Sequence, residues 1–301
     1  MGMREYLSEI GVIDARHTEQ LAECVRDRGD MSVWRCSISG VIFLEGCDID
    51  YHTYYTRKAV DCDHDLSVTE SHGVSHATLC QEDDARRAEQ FKDYVRGKVW
   101  LDFGAGEGGL LQIMAHKAAE AYAYELNSAQ CARMHAKGIP VLDDWRTLAD
   151  QSLDVITLFH VFEHLPRPVE LLSELARKLS PGGVAIVEVP HANDFLIKLL
   201  NCEAFKRFTF WSEHLVLHTR ASLEAMLRLA GFEEVVVTGF QRYSLANHLY
   251  WLRHARPGGH ELWGAIETCD MKRAYAAMLA NIDQTDTLVA VGRKVNLDDR
   301  G

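Results

Sequence analysis

Residues 99–110 read VWLDFGAGEGGL, and this stretch decides the fold of the chain. It begins as a short apolar strand and continues into a glycine-rich loop. Gly104, Gly106 and Gly109 of that loop have the spacing G-x-G-x-x-G, and an apolar helix follows. Glycines let the backbone turn sharply and approach a ligand, and the N-terminus of the next helix presents free N–H groups. The stretch therefore predicts an α/β fold with a nucleoside or dinucleotide site.

Short apolar strands alternate with amphipathic helices from residue 98 onward, which is the pattern of a parallel sheet covered by helices. A Pro-Gly-Gly turn at residues 181–183 precedes the fifth strand. We expect a doubly wound, Rossmann-like α/β sheet of seven strands with an antiparallel last strand. The predicted strands cover residues 99–103, 121–125, 141–142, 153–159, 184–189, 234–238 and 287–291.

The region before the first strand of this sheet is mixed in character. It predicts a helix over residues 6–27, short strands over 33–36 and 41–44, and a polar, histidine-rich loop or lid over 62–84. We expect two parts: an N-terminal cap or substrate region over residues 1–95, and one large domain over residues 96–301. A helical insert over residues 241–285 interrupts that domain before its last strand.

The composition is ordinary for a globular protein and excludes several classes of function. Of 301 residues, 32 are Lys or Arg and 44 are Asp or Glu, which gives a formal net charge of −12 at pH 7. This balance argues against general nucleic-acid binding, which depends on Lys and Arg at phosphates. No apolar run approaches the ~20 residues of a membrane span, and residues 1–20 carry charges every few positions, which does not fit the apolar core of a secretory signal. We expect a cytoplasmic location.

Two carboxylates near the glycine loop bear on the choice of cofactor. Glu125 ends the second strand, where a carboxylate can accept both ribose hydroxyls of a nucleotide. With the loop alone, this fits NAD as well as S-adenosylmethionine (SAM). Asp102 lies two residues before Gly104, where its charge suits a cationic amino-acid tail better than a pyrophosphate. SAM is therefore favoured. An NAD-dependent sugar-modifying enzyme and a non-catalytic binding module stay as alternatives.

Three segments together resemble the class I SAM-dependent methyltransferases: DFGAG at 102–106, LFHVFEHLPRP at 158–168 and LSPGGVAIVEVP at 179–190. The resemblance implies a Rossmann-like fold, SAM as the cofactor and methyl transfer as the activity. It implies that the glycine loop binds the methionine part of SAM and that the acid after the second strand binds the ribose. The cofactor-binding residues carried over in this way are Asp102, Phe103, Gly104, Gly106, Glu125 and Leu126.

The resemblance implies two further parts of the cofactor site. An acid after the third strand contacts the adenine amino group, and Asp143 or Asp144 matches it, with Trp145 as a stacking partner. The spacing does not distinguish the two acids. The fourth-strand motif lies next to the transferred methyl group and is assigned to the cofactor, with catalysis as the alternative. It contributes His160, Glu163 and His164.

A narrower resemblance concerns residues 211–215, WSEHL, which are similar to a segment of C-methyltransferases that act on nucleotide-linked keto sugars. In that group, histidine and glutamate transfer the protons of an enolate, and a tyrosine contacts the substrate. Here the histidine is His214, oriented by Glu213, and the tyrosine is Tyr54 or Tyr55. We add His191, directly after the fifth strand, either as a substrate contact or as a residue that holds its loop.

Members of the same group carry an N-terminal zinc module with C-x-x-C pairs, whereas residues 33–40 keep only Cys36. A structural zinc needs four ligands, so we predict no metal. The predicted function is SAM-dependent methyl transfer, assisted by histidine, to a small polar or carrier-linked substrate such as a nucleotide sugar or saccharide precursor. The alternative is an O- or N-methyltransferase of a small metabolite without a strong base.

The helical insert admits two interpretations. In the first, aromatic residues such as Tyr243, Tyr250 and Trp251 cover a substrate pocket or a homodimer interface, and polar residues bind a phosphate or carboxylate. In the second, the insert is a packed subdomain with a solvated polar face. The polar residues concerned are Arg242, Asn247, His248 and Arg253.

Overall fold

Two β-sheets organise the chain in the computed structural model, which describes residues 1–46 and 76–294. The N-terminal elements are α1 (Met3–Glu9), β1 (Thr18–Ala22), β2 (Met31–Cys36), β3 (Ile42–Gly46) and α2 (His76–Val95). The helix predicted over residues 6–27 is therefore wrong beyond Glu9. Antiparallel pairing of β1 with β2 overrides the helical period there.

The later strands are β4 (Val99–Phe103), β5 (Glu120–Tyr124), β6 (Leu153–Phe159), β7 (Leu179–Pro190), β8 (Val216–Leu217), β9 (Glu234–Phe240) and β10 (Thr287–Arg293). The helices among them are α3 (Gly109–Met114), α4 (Ser128–Ala136), α5 (Pro168–Lys178), α6 (Phe195–Lys198), α7 (Glu203–Thr209), α8 (Arg220–Leu229), α9 (Leu245–His254), α10 (Gly259–Leu262) and α11 (Cys269–Asn281).

The larger sheet has the strand order β5-β4-β6-β7-β10-β9. β4 pairs in parallel with β5 and β6, and β6 pairs in parallel with β7. β10 runs antiparallel to both β7 and β9. This arrangement confirms the Rossmann-like α/β fold and the antiparallel last strand. It also brings the carboxyl ends of four parallel strands to one edge, where open α/β sheets bind their ligands.

Within the described residues this sheet has six strands rather than the predicted seven, because the stretch at 141–142 forms no strand. Val141 makes an isolated parallel bridge to Ala123, and the Leu142 N–H donates to the Ala123 carbonyl at 2.8 Å. The carboxylate of Asp144 then caps a 3-10 helix over Trp145–Thr147. The cap directs the chain away from β5 after one bridge.

The Pro-Gly-Gly turn predicted at residues 181–183 lies inside β7, which begins at Leu179. There the Gly182 N–H donates to the Lys294 carbonyl at 2.8 Å, beyond the end of β10. The register between β6 and β7 shifts opposite this stretch, between Leu153 and Val155. The three residues therefore form an irregularity within the strand and not the turn before it.

The parallel strands are buried on both faces. On β4, Trp100 packs with Phe91 of α2 and Leu111 of α3, whereas Leu101 packs in the cluster on the opposite face. Such two-sided burial accounts for the nearly continuous apolar sequence of the central strands. Packing on both faces therefore fixes the position of the sheet edge at which the candidate site lies.

The smaller sheet has the order β1-β2-β3-β8 and joins three N-terminal strands to one short strand from the second half of the chain. Its fourth strand, β8, pairs antiparallel with β3, with Phe43 opposite Val216 and Ile42 opposite Leu217. Tyr6 and Leu7 of α1 lie in the same buried cluster as the core of the larger sheet. The N-terminal region therefore supports the segment that precedes β8, which contains His214.

The predicted helical insert forms helices α9, α10 and α11. Tyr250 and Trp251 are buried, and Trp251 packs edge-on against Phe205 at a ring-centroid distance of 5.3 Å. His248 is buried as well and makes a 2.7 Å contact with the Tyr275 hydroxyl. These contacts favour the interpretation of the insert as a packed subdomain. Among the helices in the described ranges, none is long and apolar enough to cross a membrane.

Candidate active site

The glycine loop connects β4 to α3 and lies against the end of β6. Gly104 has φ +78°, and a Cβ atom placed there would lie 2.3 Å from Cγ2 of Val161. The N–H groups of Gly104 and Ala105 both donate to the Tyr124 carbonyl, at 2.8 and 3.1 Å. Only glycine satisfies both this backbone conformation and this close approach. The loop is thus fixed across the tips of β4, β5 and β6.

Glu125 closes the rim of this loop. Its carboxylate accepts the Gly106 N–H at Oε2 and the Asn127 N–H at Oε1, each at 2.9 Å. Burial raises the pKa of this carboxyl, although the backbone hydrogen bonds oppose the shift. Asn127 in turn caps α4 through its side-chain oxygen. The carboxylate is therefore held in one orientation at the place where the ribose hydroxyls of a nucleoside would bind.

Asp102 lies at the bottom of the same site and is 4% exposed. The Thr157 hydroxyl donates to Asp102 Oδ1 at 2.6 Å, and the Trp100 indole N–H donates to the Thr157 oxygen at 2.9 Å. Burial raises the pKa of Asp102 to about 7, despite the hydrogen bond from Thr157. A cation beside this carboxylate would restore its ionised form. The sulfonium and ammonium of SAM meet that requirement.

The three residues predicted to contact adenine follow β5. Asp144 accepts the Arg146 N–H at 2.9 Å as the cap of a 3-10 helix, and the side chains of both Asp143 and Asp144 are exposed. Asp143 caps no helix, and the contact of either acid with an adenine amino group stays a prediction. Trp145 is 1% exposed and packs edge-on against Phe103. The structure does not support stacking of Trp145 on adenine, because the Arg146 guanidinium lies over its ring, 4.7 Å from the centroid, and the side chain is otherwise buried.

The fourth-strand motif places Glu163 inside the protein. The carboxylate is fully buried, and Oε1 lies 3.1 Å from His160 Nδ1 and 3.8 Å from His164 Nε2. Burial alone would raise the pKa of Glu163, but the neighbouring imidazoles of His164 and His160 lower it to about 2. Glu163 is therefore ionised and is surrounded by histidines.

His214 joins this group from the segment before β8. Its ring stacks on the His164 ring at a centroid distance of 5.4 Å, and Trp211 packs edge-on against His214. One ligand-type atom from each of Glu163, His164 and His214 lies within 4.8 Å of the other two. We call these three residues the EHH cluster. The structure thus brings one predicted catalytic residue together with two residues assigned to the cofactor.

The environment of His214 selects its tautomer. Nδ1 lies 3.1 Å from the Thr209 carbonyl, which can only accept a hydrogen bond. The lone pair of the neutral ring is therefore on Nε2. Burial, together with the charge of His164, lowers the pKa of His214 to about 3. The carbonyl of Thr209 orients this ring, and the carboxylate near it is Glu163. The orienting role of Glu213, which is buried, stays a prediction.

The N-terminal region anchors the segment that carries His214. The Ser212 N–H donates to Asp27 Oδ1 at 2.9 Å, and the Ser212 hydroxyl donates to Asp27 Oδ2 at 2.6 Å. The Arg26 N–H donates to the Phe210 carbonyl at 3.0 Å. The sequence analysis missed Asp27, because nothing near it in the chain indicates a partner 185 residues away.

A second group that the sequence analysis missed is a buried ion-pair network between α2 and the end of β7. Glu188 is fully buried and accepts Arg86 at 2.8 Å and Arg87 at 2.6 Å. Burial disfavours the charged form of Glu188, but His160 and Arg87 hold its pKa well below the usual value. In the sequence, only the neighbouring Arg86 and Arg87 in a charged helix indicated this ion-pair network.

Arg242 extends this network from the insert. It forms an ion pair with Asp83 of α2, and its Nη1 lies 3.2 Å from His160 Nε2. Burial disfavours the charged form of His160, but Glu163 and Glu188 raise its pKa. Arg242 and His160 thus have partners within the protein, which sets aside the interpretation of Arg242 as a phosphate ligand.

The remaining predicted catalytic residues lie elsewhere. His191 is fully buried and makes a 2.9 Å contact from Nδ1 to the Thr285 carbonyl, and burial lowers its pKa to about 4. Of the two roles expected for His191, the structure favours the one in which it holds its loop, here through the segment before β10. Tyr54 and Tyr55 lie outside the described residues, as does most of the histidine-rich segment.

Comparisons with known proteins agree with this site. A family model for a methyltransferase domain matches residues 79–237, more than half of the chain. The ubiquinone biosynthesis O-methyltransferase of Psychrobacter arcticus is 25% identical over 206 residues, 63% of this chain and 79% of the relative. That of Idiomarina loihiensis is 36% identical over 105 residues, 32% of this chain and 43% of the relative.

A solved SAM-dependent methyltransferase from Archaeoglobus fulgidus shares the fold. It has a TM-score of 0.50 and 20% identity, over 71% of this chain and 94% of that chain. The weaker resemblance to nucleotide-sugar enzymes has no counterpart in these comparisons, and the NAD alternative is not retained. The chain belongs to the methyltransferase-domain family and is a SAM-dependent methyltransferase with the class I fold.

Proposed function

We propose that this enzyme methylates a hydroxyl oxygen of a small polar or carrier-linked acceptor, and that His214 removes the proton of that hydroxyl. The observation that supports this proposal is the tautomer of His214. Its Nδ1 faces the Thr209 carbonyl, so the lone pair is on Nε2, and the ring lies in the same cluster as Glu163. The printed names of the curated relatives, which are O-methyltransferases, favour oxygen as the acceptor atom.

The site has a cofactor end and an acceptor end, and different residues act at each. Asp102 and Glu125 would hold the methionine and ribose parts of SAM, which supplies a methyl group on a sulfonium when it is bound. At the other end, the acceptor O–H bond breaks and Nε2 of His214 takes the proton. The oxygen would then bond to the methyl carbon as the carbon–sulfur bond breaks, with S-adenosylhomocysteine as the leaving group. Burial lowers the pKa of His214, the charge of Glu163 opposes that shift and favours the imidazolium, and the Thr209 carbonyl accepts the Nδ1–H.

A second candidate is C-methylation of a nucleotide-linked keto sugar, which the segment Trp211-Ser212-Glu213-His214 favours. In that reaction the same imidazole would remove a proton from carbon to form an enolate. The two candidates differ in the product and not in the base. Nuclear magnetic resonance separates them, because a methyl group on carbon and a methyl group on oxygen have distinct shifts and couplings.

The test measures methyl transfer from SAM carrying a labelled methyl group to a panel of hydroxylated acceptors, including nucleotide sugars. We expect an O-methyl product, and His214→Ala should lower kcat by about 10²–10⁴-fold. The affinity for S-adenosylhomocysteine should stay unchanged, as should the activity of the control His116→Ala, whose side chain is exposed on another surface. An unchanged pH–rate profile in His214→Ala would refute the base assignment.

A further inference from the structure

The EHH cluster has the donor set of a metal centre. One carboxylate and two imidazoles meet there, and their ligand-type atoms all lie within 4.8 Å of one another. Around a tetrahedral zinc with bonds of 2.0–2.2 Å, neighbouring ligand atoms are about 3.4 Å apart. Glu163 Oε1 and His164 Nε2 are already 3.8 Å apart. Small side-chain rotations would close the set around one ion.

A buried oxygen in this cluster lacks a donor. Glu163 Oε2 is buried and has no hydrogen-bond partner among the residues that the structure describes. An ionised carboxylate oxygen in that position costs free energy unless a donor or a cation faces it. The imidazoles of His164 and His160 favour the ionised carboxylate, but neither ring donates a hydrogen bond to Oε2. A cation bound here would face Glu163 Oε2 and would be coordinated by the lone pairs of the neighbouring imidazole nitrogens.

The ring of His214 is oriented as metal-binding histidines are. Its Nδ1–H donates to the Thr209 carbonyl, so that Nε2 carries the lone pair. A backbone carbonyl or carboxylate on the second ring nitrogen is the usual partner of a metal-bound imidazole. The segment is further held by Asp27 through Ser212. The ligand direction is thus set before any ion binds.

We propose that Glu163, His164 and His214 bind one divalent first-row transition-metal cation and leave coordination positions for the oxygens of the acceptor. Imidazole and carboxylate ligands suit Zn²⁺ and Mn²⁺, and three protein ligands with an open position are typical of catalytic zinc. This proposal departs from the expectation, drawn from the sequence, that the chain binds no metal. The inference rests on the proposed function in one respect, since it places the acceptor hydroxyl at the same cluster.

A bound cation changes the role of His214. A hydroxyl coordinated to a divalent cation has a lowered pKa, so its proton passes to a solvent water. The oxygen then attacks the methyl group of SAM, the carbon–sulfur bond breaks, and S-adenosylhomocysteine leaves. In the loaded enzyme His214 is a ligand and the cation promotes loss of the proton, so that the role of His214 as the base, proposed above, belongs to the metal-free enzyme.

The experiment titrates the full chain, stripped with EDTA, with ZnCl₂ or MnCl₂ by isothermal calorimetry. We expect one equivalent of each metal to bind. Removing a residue that only holds a metal ligand in place costs about 10–100-fold in metal affinity. Glu163→Gln and His214→Ala remove ligands themselves, so each should weaken binding by at least about 100-fold. The matched control His135→Ala removes an exposed histidine on α4 and should bind as the parent does.

Retained S-adenosylhomocysteine binding shows that each variant is folded. The proposal is overturned if the parent binds no equivalent of metal, or if Glu163→Gln binds as tightly as the parent. It is also overturned if only Zn²⁺ binds and alkylation of exposed thiols, such as Cys24 and Cys269, abolishes binding. Metal binding without methylation of any hydroxyl would refute the proposed function alone. Methylation that EDTA leaves unchanged would refute the metal proposal alone.

Discussion

Thr157 donates a 2.6 Å hydrogen bond to Asp102 across two paired strands, and the two residues stand opposite each other in the register of β4 and β6. Both side chains are buried. The carboxylate that would face the cationic part of SAM is thus held by a neutral donor. Burial raises its pKa to about 7, so that ionisation of Asp102 is coupled to the binding of a cation.

This coupling predicts that affinity for S-adenosylhomocysteine rises with pH. Binding the ammonium requires the ionised carboxylate, so the dissociation constant should fall by about tenfold between pH 6 and pH 8. Calorimetry at several pH values measures it. Asp102→Asn should bind weakly and without this pH dependence. Thr157→Val removes a donor to the charged form, and should shift the dependence to higher pH.

Asp102 should also make folding stability depend on pH, and in the opposite direction to ligand affinity: stability should fall as the pH rises. A raised pKa means that the folded protein binds the proton more tightly than the unfolded chain between about pH 4 and pH 7. This contribution to stability is present at low pH and is lost as the pH rises through 7. Thermal unfolding of the cofactor-free protein should show the loss in the parent and not in Asp102→Asn. A parent and variant with parallel pH curves would contradict the assigned shift.

Gly104→Ala should abolish cofactor binding. Its Cβ would meet Val161 at 2.3 Å in a backbone with φ +78°. Gly138→Ala is the matched control, because Gly138 has φ +73° and nothing within 4 Å of a Cβ. Each left-handed alanine costs roughly 1–2 kcal/mol. We therefore expect both variants to lose stability and only Gly104→Ala to lose S-adenosylhomocysteine binding, as measured by ligand-dependent thermal shifts.

Glu188→Gln should destabilise the fold strongly. It removes the charge that pairs with Arg86 and Arg87, and loss of one partner of a buried ion pair costs about 3–5 kcal/mol. Chemical denaturation measures this difference. The control is Glu224→Gln, which breaks an exposed i,i+4 pair with Arg228 and should cost less than about 1 kcal/mol. Equal effects in the two variants would show that the buried network contributes no more than a surface pair.

Asp27 is a positioning residue for the EHH cluster, and Asp27→Ala should lower kcat while leaving S-adenosylhomocysteine affinity unchanged. The reason is that Asp27 accepts both hydrogen bonds from Ser212, two residues before His214. Asp27→Asn keeps one acceptor oxygen and should restore part of the rate. Asp14→Ala, which removes an acid paired with Arg16 in the same region, is the control and should keep full activity.

A double variant tests the same contact. Since Asp27 and Ser212 act through one pair of hydrogen bonds, Asp27→Ala combined with Ser212→Ala should be no slower than the slower single variant. Additive losses would show that Asp27 acts elsewhere. If Asp27→Ala and Ser212→Ala both lowered the affinity for S-adenosylhomocysteine, the N-terminal region would support the whole domain and not the EHH cluster alone.

The cofactor end of the site could be predicted from local sequence. The loop with Gly104, Asp102 before it and Glu125 after the next strand belong to one strand–loop–helix–strand unit. Chain connectivity alone brings these residues together, and in the structure the Gly106 N–H donates to the Glu125 carboxylate. The strand count failed for a local reason as well, since the Asp144 cap ends the pairing at Val141.

The amino-acid sequence by itself determined the family, the cofactor and the alternation of strands and helices, because periodicity and a short motif encode them within short segments of the chain. Only the tertiary structure decided which side chains meet at the acceptor end. Glu163 and His214 come from separate segments, and Asp27 reaches Ser212 across 185 residues. Such contacts depend on how sheets and helices pack, and no local pattern of residue types specifies that packing.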